Sequence, residues 1–272
     1  RWWLPNGIVN KVIIDSASNQ VFVGGSFNYV GPTKKFLCIF DTDKDTIITN
    51  SDEPNAQVLC SEKDDSTGWY IGGSFTKVAK HKRNFIAHVN EIGKTTSNLA
   101  DLYFNGAVRG MKKLGDTLFV HGDFGGAGNP SELDYGMTVV DTNGKSVNQF
   151  RLAVNGKINC TLTDNKGGIY LGGSFTQIGD SGRHNLAYID SAGNVSSWNP
   201  RVDNEVNALA SKGDTLFIGG NFKNISDSNR HSIAAYGLTS NSVLPWISNV
   251  DGTVHTLLVK DTVLYVGGSF KT

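Results

Sequence analysis

Gly24-Gly25-Ser26-Phe27 is the first of six similar tetrapeptides. The others are Gly72-Gly73-Ser74-Phe75, His121-Gly122-Asp123-Phe124, Gly172-Gly173-Ser174-Phe175, Gly219-Gly220-Asn221-Phe222 and Gly267-Gly268-Ser269-Phe270. They begin 48, 49, 51, 47 and 48 residues apart. A second recurring element precedes each copy, an Asn or Asp followed by a short apolar segment, at Asn6, Asn55, Asn105, Asn155, Asn204 and Asp251. Self-similarity at such a period is typical of repeat architectures. The chain is therefore predicted to be one tandem array.

Apolar and polar residues alternate with period two inside each unit. Residues 252–259 alternate in this way, 260–262 form a polar turn, and 263–266 run into the glycines, which predicts a hairpin. A third apolar run, such as 186–190, follows a polar loop, and a fourth ends near Trp198. The apolar spacing of a helix is absent. Four short antiparallel strands in about 48 residues predict an all-β fold, a β-propeller of four-stranded blades.

The paired glycines have a physical reason to recur in such a fold. Glycine permits backbone conformations closed to other residues and allows close backbone approach, while the Phe can pack over the neighbouring sheet. A phosphate-binding glycine loop would need a helix after it and a Gly-Lys-Ser/Thr ending, and the sequence has neither. We interpret the tetrapeptide as scaffold.

The repeats divide the chain into blades of one propeller domain, 1–272. Five complete blades are expected at about 7–54, 55–104, 105–154, 155–203 and 204–250, with a partial sixth at 251–272. Residues 1–6 resemble the ends of other units and are expected to form the last strand of a preceding or closing blade. Either six blades close imperfectly, or the sequence is a fragment of a longer chain. We favour a fragment, with six or seven blades in the full ring, because stopping after the glycines leaves a strand edge unpaired.

Composition excludes several partner classes. The 25 Lys and Arg balance the 25 Asp and Glu, so the chain has no global field that would attract nucleic acid or an anionic membrane. No run of about 18 apolar residues appears, which predicts that no helix inserts into a membrane.

The third unit departs most from the repeat. His121-Gly122-Asp123-Phe124 replaces the usual tetrapeptide, and a glycine-rich loop with acidic residues follows it. A function can be inserted where an array breaks its own pattern. The candidate ligand-binding residues there are Asp123, Glu132, Asp134 and Tyr135, and the alternative is a surface loop that has drifted.

The corresponding loops of the first two units are basic. Lys34 and Lys35 lie in the first loop, and the candidates Lys80, Lys82 and Arg83 lie in the second. Neighbouring loops of opposite sign suit a protein partner, although ordinary solvated loops would look the same.

Metal and catalytic sites have weak support in the sequence. Asp41, Asp43 and Asp45 resemble a calcium loop, but Thr46 stands where that loop needs glycine and no helices flank it, so an ordinary turn is favoured. The six histidines show no zinc-binding spacing. The three cysteines occupy positions where other units place small apolar residues, which favours inert core thiols over a disulfide. No cofactor is expected, with calcium as the alternative.

The units resemble propellers built from the delta-sixty type of repeat, in which Gly-Gly-Ser-Phe-Thr precedes a polar loop and Arg-x-x-Leu/Ile-Ala. Gly172 to Thr176 with Arg183-His184-Asn185-Leu186-Ala187 matches this pattern, as does Gly72 to Thr76 with Arg83-Asn84-Phe85-Ile86-Ala87. Gly219 to Phe222 with Arg230-His231-Ser232-Ile233-Ala234 is close to it. The resemblance covers essentially the whole chain and implies an extracellular or cell-surface location, since such repeats occur in large surface and secreted proteins.

Three functions are compatible with these observations. The first is a non-catalytic propeller that binds a protein or glycan partner within a larger cell-surface, secreted or virion protein. The second is a structural propeller that assembles with other chains or domains and has no small ligand. The third is a propeller hydrolase or lyase with its site at the channel mouth, where the inner strands offer only Arg109, Lys157 and His255 as reactive groups.

Overall fold

The segments of period two form antiparallel strands in a computed structural model, which describes residues 4–31, 34–65, 68–99, 102–125, 127–128, 136–145, 147, 152–164, 166–246 and 250–271. These residues contain strands, turns and loops and no helix, so the all-β prediction is confirmed. Accordingly, the described chain includes no helix long and apolar enough to cross a membrane. The chain divides into two compact units, Arg1–Asn148 and Gln149–Thr272. The expectation of a single domain stays a prediction.

The described part of the unit Arg1–Asn148 contains three larger sheets and two short strand pairs. Its described strands are β1 (Ile8–Asp15), β2 (Gln20–Ser26), β3 (Leu37–Asp41), β4 (Thr46–Ile47), β5 (Val58–Asp64), β6 (Gly68–Gly73), β7 (Lys77–Val78), β8 (His81–Lys82), β9 (Ile86–Asn90), β10 (Tyr103–Phe104), β11 (Val108–Leu114), β12 (Thr117–Gly122), β13 (Ala127–Gly128) and β14 (Met137–Asp141). The first sheet has the order β1-β2-β3-β4, the second β5-β6-β9 and the third β11-β12-β14. The short pairs β7-β8 and β10-β13 are separate two-stranded sheets.

The unit Gln149–Thr272 repeats this arrangement. Its described strands are β15 (Val154–Thr163), β16 (Ile169–Ile178), β17 (Ser181–Gly182), β18 (Leu186–Ile189), β19 (Val206–Lys212), β20 (Thr215–Gly220), β21 (Asn224–Ile225), β22 (Ser228–Asn229), β23 (Ile233–Gly237), β24 (Ser242–Val243), β25 (Thr253–Lys260) and β26 (Val263–Ser269). In the fourth sheet β16 pairs with β15, β17 and β18. The fifth sheet has the order β19-β20-β23-β24, the sixth is the hairpin β25-β26, and β21 pairs with β22.

In four of the sheets the predicted fourth strand is shorter than the sequence indicates. It is a two-residue strand in the first and fifth sheets. In the second and fourth sheets it is a single bridge, Val89 to Thr95 and Ile189 to Val195. For the predicted closing strand at 1–6, residues 1–3 lie outside the described residues, and residues 4–6 form no regular element.

The first glycine of the tetrapeptide makes room for the next sheet. A Cβ atom on Gly72 would lie 2.5 Å from Cγ1 of Val108 on β11 and 2.7 Å from Sγ of Cys60. We call this contact, a glycine that receives a valine of the following first strand, a glycine socket. It recurs between Gly24 and Val58, Gly172 and Val206, and Gly219 and Val254.

The second glycine has a different neighbour, the carbonyl oxygen of its own first strand. A Cβ atom on Gly73 would lie 2.0 Å from the oxygen of Gln57. Real Cβ atoms are not found at such distances, so no larger residue fits without moving the backbone. Both glycines therefore serve the scaffold.

In the third sheet two residues differ from this pattern, and a close contact with a glycine is kept. His121 replaces the first glycine, and its cross-strand partner on β11 is Gly110. A Cβ atom on Gly110 would lie 2.0 Å from Nε2 of His121. In this sheet the glycine lies on β11, opposite the histidine. The imidazole of His121 is buried, and the two strands remain paired.

Apolar residues of neighbouring sheets form joint clusters. Phe22 of the first sheet packs with Trp69 of the second, their ring centroids 5.4 Å apart, and Phe75 of the tetrapeptide belongs to the same cluster. In the other unit, Leu186 of the fourth sheet clusters with Ile218 and Phe222 of the fifth. Burial between sheets is the main source of stability in such an arrangement.

The residue before each third strand has a left-handed backbone. The φ values are 63° at Phe36, 69° at Phe85, 74° at Gly136, 62° at Asn185 and 62° at Ser232. In every case the residue's N–H donates to the carbonyl of the tetrapeptide Phe, and its own carbonyl accepts from the N–H of the second glycine. These two hydrogen bonds hold a conformation that only glycine adopts freely.

Candidate functional site

The third-unit candidates lie partly outside the described residues. Glu132, Asp134 and Tyr135 fall there, whereas Asp123 directly follows β12. Nε of Arg109 donates to Oδ2 of Asp123 at 2.6 Å, and Nη2 of Arg109 also contacts that oxygen. This contact raises the pKa of Arg109. The carboxylate of Asp123 is therefore already paired with the guanidinium of Arg109.

Arg109 occupies a position that recurs in every first strand. A register shift between β11 and β12 leaves it unpaired between Val108 and Gly110. The same shift leaves Asn10, Leu59, Asn159, Asn207 and His255 unpaired in the other sheets. Sequence reasoning noted Arg109 and His255 but missed the β-bulge that they share.

The asparagines at this bulge connect consecutive sheets. Nδ2 of Asn10 donates to the carbonyl of Val58 at 2.9 Å. Nδ2 of Asn159 donates to Oε1 of Glu205 at 2.8 Å and to Oδ1 of Asn207 at 3.1 Å. His255 instead contacts Oγ of Ser269 within its own hairpin, at 2.7 Å. The bulge residues are therefore tied into the sheets, and Arg109 and His255 remain exposed.

Lys80 and Lys82 lie on a short exposed hairpin. Residues 77–82, which we call the basic hairpin, comprise β7, β8 and the turn between them. Lys77, Lys80 and Lys82 are exposed, and none of them forms an ion pair with another described residue. Oδ1 of Asn55 accepts from the N–H groups of Thr76 and Lys77 at 2.9 and 3.0 Å, which fixes the start of the hairpin.

Arg83 differs from these lysines because it is buried. Its Nη1 donates to the carbonyl of Lys82 at 2.7 Å and its Nη2 to that of Thr96 at 2.6 Å. Arg183 and Arg230 make equivalent bonds to backbone carbonyls in their own sheets. This arginine therefore has a structural role that recurs in three of the repeats. Lys80 and Lys82 are the exposed members of the candidate set in this loop.

Lys34 is also buried, although it lies in the loop that corresponds to the basic hairpin. Its Nζ donates to the carbonyl of Ser51 at 3.2 Å and lies 3.5 Å from Oε1 of Glu53. The sequence contains no signal for this difference, since both loops read as polar and basic.

Asp41 is the last residue of β3, and Asp43 and Asp45 lie in the turn between β3 and β4. Oδ1 of Asp41 accepts from the N–H groups of Asp43 and Lys44 at 3.2 and 3.1 Å, and Lys44 lowers the pKa of that carboxyl through a side-chain hydrogen bond. Asp141 and Asp190 accept from backbone N–H groups in the corresponding turns of other sheets. Across the described ranges, no group of three His, Cys, Asp or Glu side chains is placed to hold a metal ion.

The three thiols are unpaired and inert. Cys38 and Cys60 are buried and Cys160 is partly buried. Burial raises the pKa of Cys38 and of Cys60 to about 12, and it also raises the pKa of Cys160. A thiol that stays protonated at neutral pH is a poor nucleophile and a poor metal ligand.

An open pocket that the sequence did not indicate lies in the unit Gln149–Thr272. It has a volume of about 660 Å³ and lies beside the segment 196–201, which links the fourth and fifth sheets. Tyr236 and Asn241 of the fifth sheet complete its wall, and the Tyr236 hydroxyl donates to Oδ1 of Asn241 at 2.9 Å. The motif Trp198-Asn199-Pro200 was visible in the sequence only as a strand end.

No family model matches this sequence, and no curated protein is significantly similar to it. Among solved structures, the chain is similar to the extracellular domain of a protein described as a one-component system from B. thetaiotaomicron, with a TM-score of 0.60 and 17% identity over 96% of this chain and 30% of that one. The extracellular domain of a protein described as a hybrid two-component system from the same organism gives 0.60 and 12% over 97% and 32%. This chain thus spans about a third of either relative.

A WD40 β-propeller domain, that of Doa1, gives a TM-score of 0.50 and 10% identity over 97% of this chain and 90% of that domain. Likeness at this level of identity concerns the fold alone. Together with the repeated sheets, it defines the class of protein: an all-β chain of antiparallel sheets with propeller-like repetition.

Proposed function

We propose that the chain is a non-catalytic β-propeller module that binds a protein or glycan partner, as part of a larger extracellular or cell-surface protein. On this proposal the sheets are the blades of a ring of six or seven, and the delta-sixty-type repeat is their sequence form. The two bacterial relatives are described as extracellular domains, which supports the location. The regular, glycine-dependent packing supports a rigid scaffold whose loops can vary.

The observation that carries the proposal is the basic hairpin. Three exposed ammonium groups lie within six residues, and none is neutralised by a described carboxylate. Asn55 holds the hairpin in place, so little conformational entropy is lost on binding. A preformed, unneutralised cationic surface suits an anionic partner, either an acidic protein segment or an acidic glycan.

The test uses Lys80→Glu/Lys82→Glu with Lys166→Glu/Lys223→Glu as a charge-matched control on exposed residues of the other unit. Binding to poly-L-glutamate and to heparin is measured at two salt concentrations. We expect the first variant to lose at least about tenfold in affinity for one probe, the control to bind normally, and both to melt within a few degrees of the parent. Equal losses in both variants, or no binding by the parent, would contradict the proposal.

A further inference from the structure

A residue that lines the pocket beside segment 196–201 has a buried polar atom without a partner among the described residues. Oδ1 of Asn199 is buried and accepts no hydrogen bond from a described residue, while Nδ2 of Asn199 reaches the carbonyl of Gly182 only at 3.5 Å. Buried polar atoms without partners are rare in folded proteins, because each one costs free energy. Asn199 lines the pocket, so a rotation of its amide would bring this oxygen to the pocket surface, where it would accept a hydrogen bond from a ligand's hydroxyl group.

Trp198 forms part of the same wall, with its indole N–H buried beside the Tyr236 hydroxyl. Burial raises the pKa of Tyr236, and the contact with Trp198 opposes this shift. The indole is fixed between two phenol rings, with centroids 5.6 Å from both Tyr170 and Tyr236. The pocket wall is therefore rigid before any ligand arrives.

The charge of the wall comes from one residue. Arg201 is exposed, and its guanidinium forms no hydrogen bond or ion pair with any residue that the structure describes. Among the described residues that line the pocket there is no Asp or Glu. The backbone of Arg201 has a φ of 49°, and the N–H of Ser226 donates to the carbonyls of Pro200 and Arg201 at 2.6 and 3.2 Å. A guanidinium that is not paired with a carboxylate of the described chain is suited to a ligand carboxylate.

We propose that this pocket binds an acidic sugar residue, a uronic or sialic acid unit of a glycan. The volume of about 660 Å³ lies within the usual range of ligand sites. The wall consists mostly of polar groups, with Ser196, Ser197 and Ser226 beside Asn199, which matches a ligand that carries many hydroxyls. Arg201 would bind the sugar's carboxylate and Asn199 Oδ1 one of its hydroxyls.

This inference rests on the proposed function as a glycan-binding module, but it is placed on a different unit from the basic hairpin. Failure here therefore leaves the hairpin proposal standing, and Lys80→Glu/Lys82→Glu is expected to bind the sugar normally.

The experiment titrates the full chain with the methyl glycosides of glucuronic acid and N-acetylneuraminic acid, with methyl glucoside as the neutral comparison. The probe is the indole N–H resonance of Trp198, one of five tryptophans, assigned with Trp198→Phe. We expect at least one acidic glycoside to shift this resonance and to bind at least about tenfold more tightly than methyl glucoside.

The variants separate the contacts. Arg201→Ala is expected to weaken binding of the acidic glycoside at least about tenfold, whereas Lys223→Ala, which removes another exposed cation of the same unit, leaves it unchanged. Asn199→Ala is expected to weaken it as well, in a chain whose spectrum stays dispersed. Equal affinity for methyl glucoside, equal losses in the two cation variants, or no shift of the Trp198 resonance would each overturn the proposal.

Discussion

At the scale of single residues, the glycine socket explains why the tetrapeptide recurs. The contact needs a hydrogen at one Cα and a valine on the next first strand, and Gly72 with Val108 meets both needs. The last copy, Gly267, has the same glycine without the valine: among the described residues, its added Cβ would meet Cγ2 of Thr256 alone, at 2.8 Å. The two positions therefore share a sequence context and differ in packing.

This difference gives a stability test. Gly72→Ala is expected to lower the free energy of unfolding by about 2 kcal/mol, because the methyl group overlaps Val108 and Cys60 in a packed core. Gly267→Ala is expected to cost less than about 1 kcal/mol, since the Thr256 methyl can rotate away. Urea unfolding of both variants measures the costs, and similar values would show that the socket is not what constrains the glycine.

His88 is a second residue whose environment has a measurable consequence. It is buried, with Nδ1 2.9 Å from Oγ1 of Thr96, Nε2 3.2 Å from Oδ2 of Asp64, and its ring 4.8 Å from that of Tyr70. Burial lowers its pKa below the ordinary 6.5, and Asp64 opposes this shift. Tyr188 and Asp164 form the corresponding contact in the fourth sheet, where no imidazole is involved.

Because the folded-state pKa of His88 is depressed, the unfolded chain takes up the proton first as the pH falls below about 6.5. His88 therefore stabilises the fold above that pH and loses this contribution below it. We expect His88→Gln to show a flatter dependence of unfolding free energy on pH between 7 and about 5 than the parent. The exposed His184→Gln serves as control, and a parallel curve for His88→Gln would refute the assignment.

At the scale of elements, first strands are joined by ion pairs as well as by apolar contacts. Nζ of Lys63 on β5 lies 2.6 Å from Oδ1 of Asp15 on β1, and Nζ of Lys112 on β11 lies 2.7 Å from Oε1 of Glu62 on β5. The hydrogen bond from Lys63, followed by that from Ser18, lowers the pKa of Asp15 from 3.8 to about 2.

A depressed carboxyl pKa stabilises the folded state above the unfolded value of 3.8 and ceases to do so as the pH falls towards 2. Lys63→Met is thus expected to cost about 1 kcal/mol at pH 7, and this cost should shrink as the pH falls below 3.8. Lys94→Met, which breaks the more exposed contact with Asp52, is expected to change stability by less than about 0.5 kcal/mol. Urea titrations across this pH range measure the unfolding free energies of both variants. A cost for Lys63→Met that is as large at pH 2 as at pH 7 would contradict the account.

The elements also show which parts of the fold the sequence encodes locally. The hairpins before each tetrapeptide were predictable because alternation and turn residues are local signals. The reduced fourth strands and the added pairs β7-β8 and β21-β22 were not, because two-residue pairings leave no periodicity. The asparagine ahead of each unit was recognised, yet in the fifth unit Asp203 accepts the loop N–H of Lys223, one residue before the expected Asn204.

At the scale of the whole molecule, burial is uneven along the chain. In the sixth sheet Leu258, Val263 and Tyr265 are exposed, whereas the strands β6 and β20 are largely buried. Local opening is easiest where few apolar contacts must be broken. The stability of a repeat array is accordingly set between neighbouring units rather than by one central core.

Hydrogen exchange should report this unevenness. We expect the paired amides of β25 and β26 to exchange at least about tenfold faster than those of β19 and β20, although the two hairpins have similar strand pairing, each with one β-bulge. Mass spectrometry of peptides from the two hairpins provides the measurement. Equal protection would mean that the sixth sheet is covered as well as the fifth.

The candidate site was less predictable from the sequence than the fold, because several of its contacts join residues of different segments. Arg83, Arg183 and Arg230 recur at one repeat position, and this recurrence was an available sign of their structural part. Lys34 is buried beside Ser51 and Glu53, which belong to another segment, and no local pattern reveals this contact. The pocket is formed by 196–201 together with residues from the loop after β21 and from β23, so its residues meet only in three dimensions.

The glycine socket has a consequence for how such a chain can evolve. Within each compact unit, every sheet that is followed by another sheet has a glycine that receives a valine from that next sheet. Consecutive repeats therefore fit together through the same contact. Duplication or deletion of one whole repeat in the gene would preserve every remaining match, whereas the gain or loss of a few residues inside a unit would displace a valine from its glycine. Selection can therefore alter the number of repeats more easily than their length.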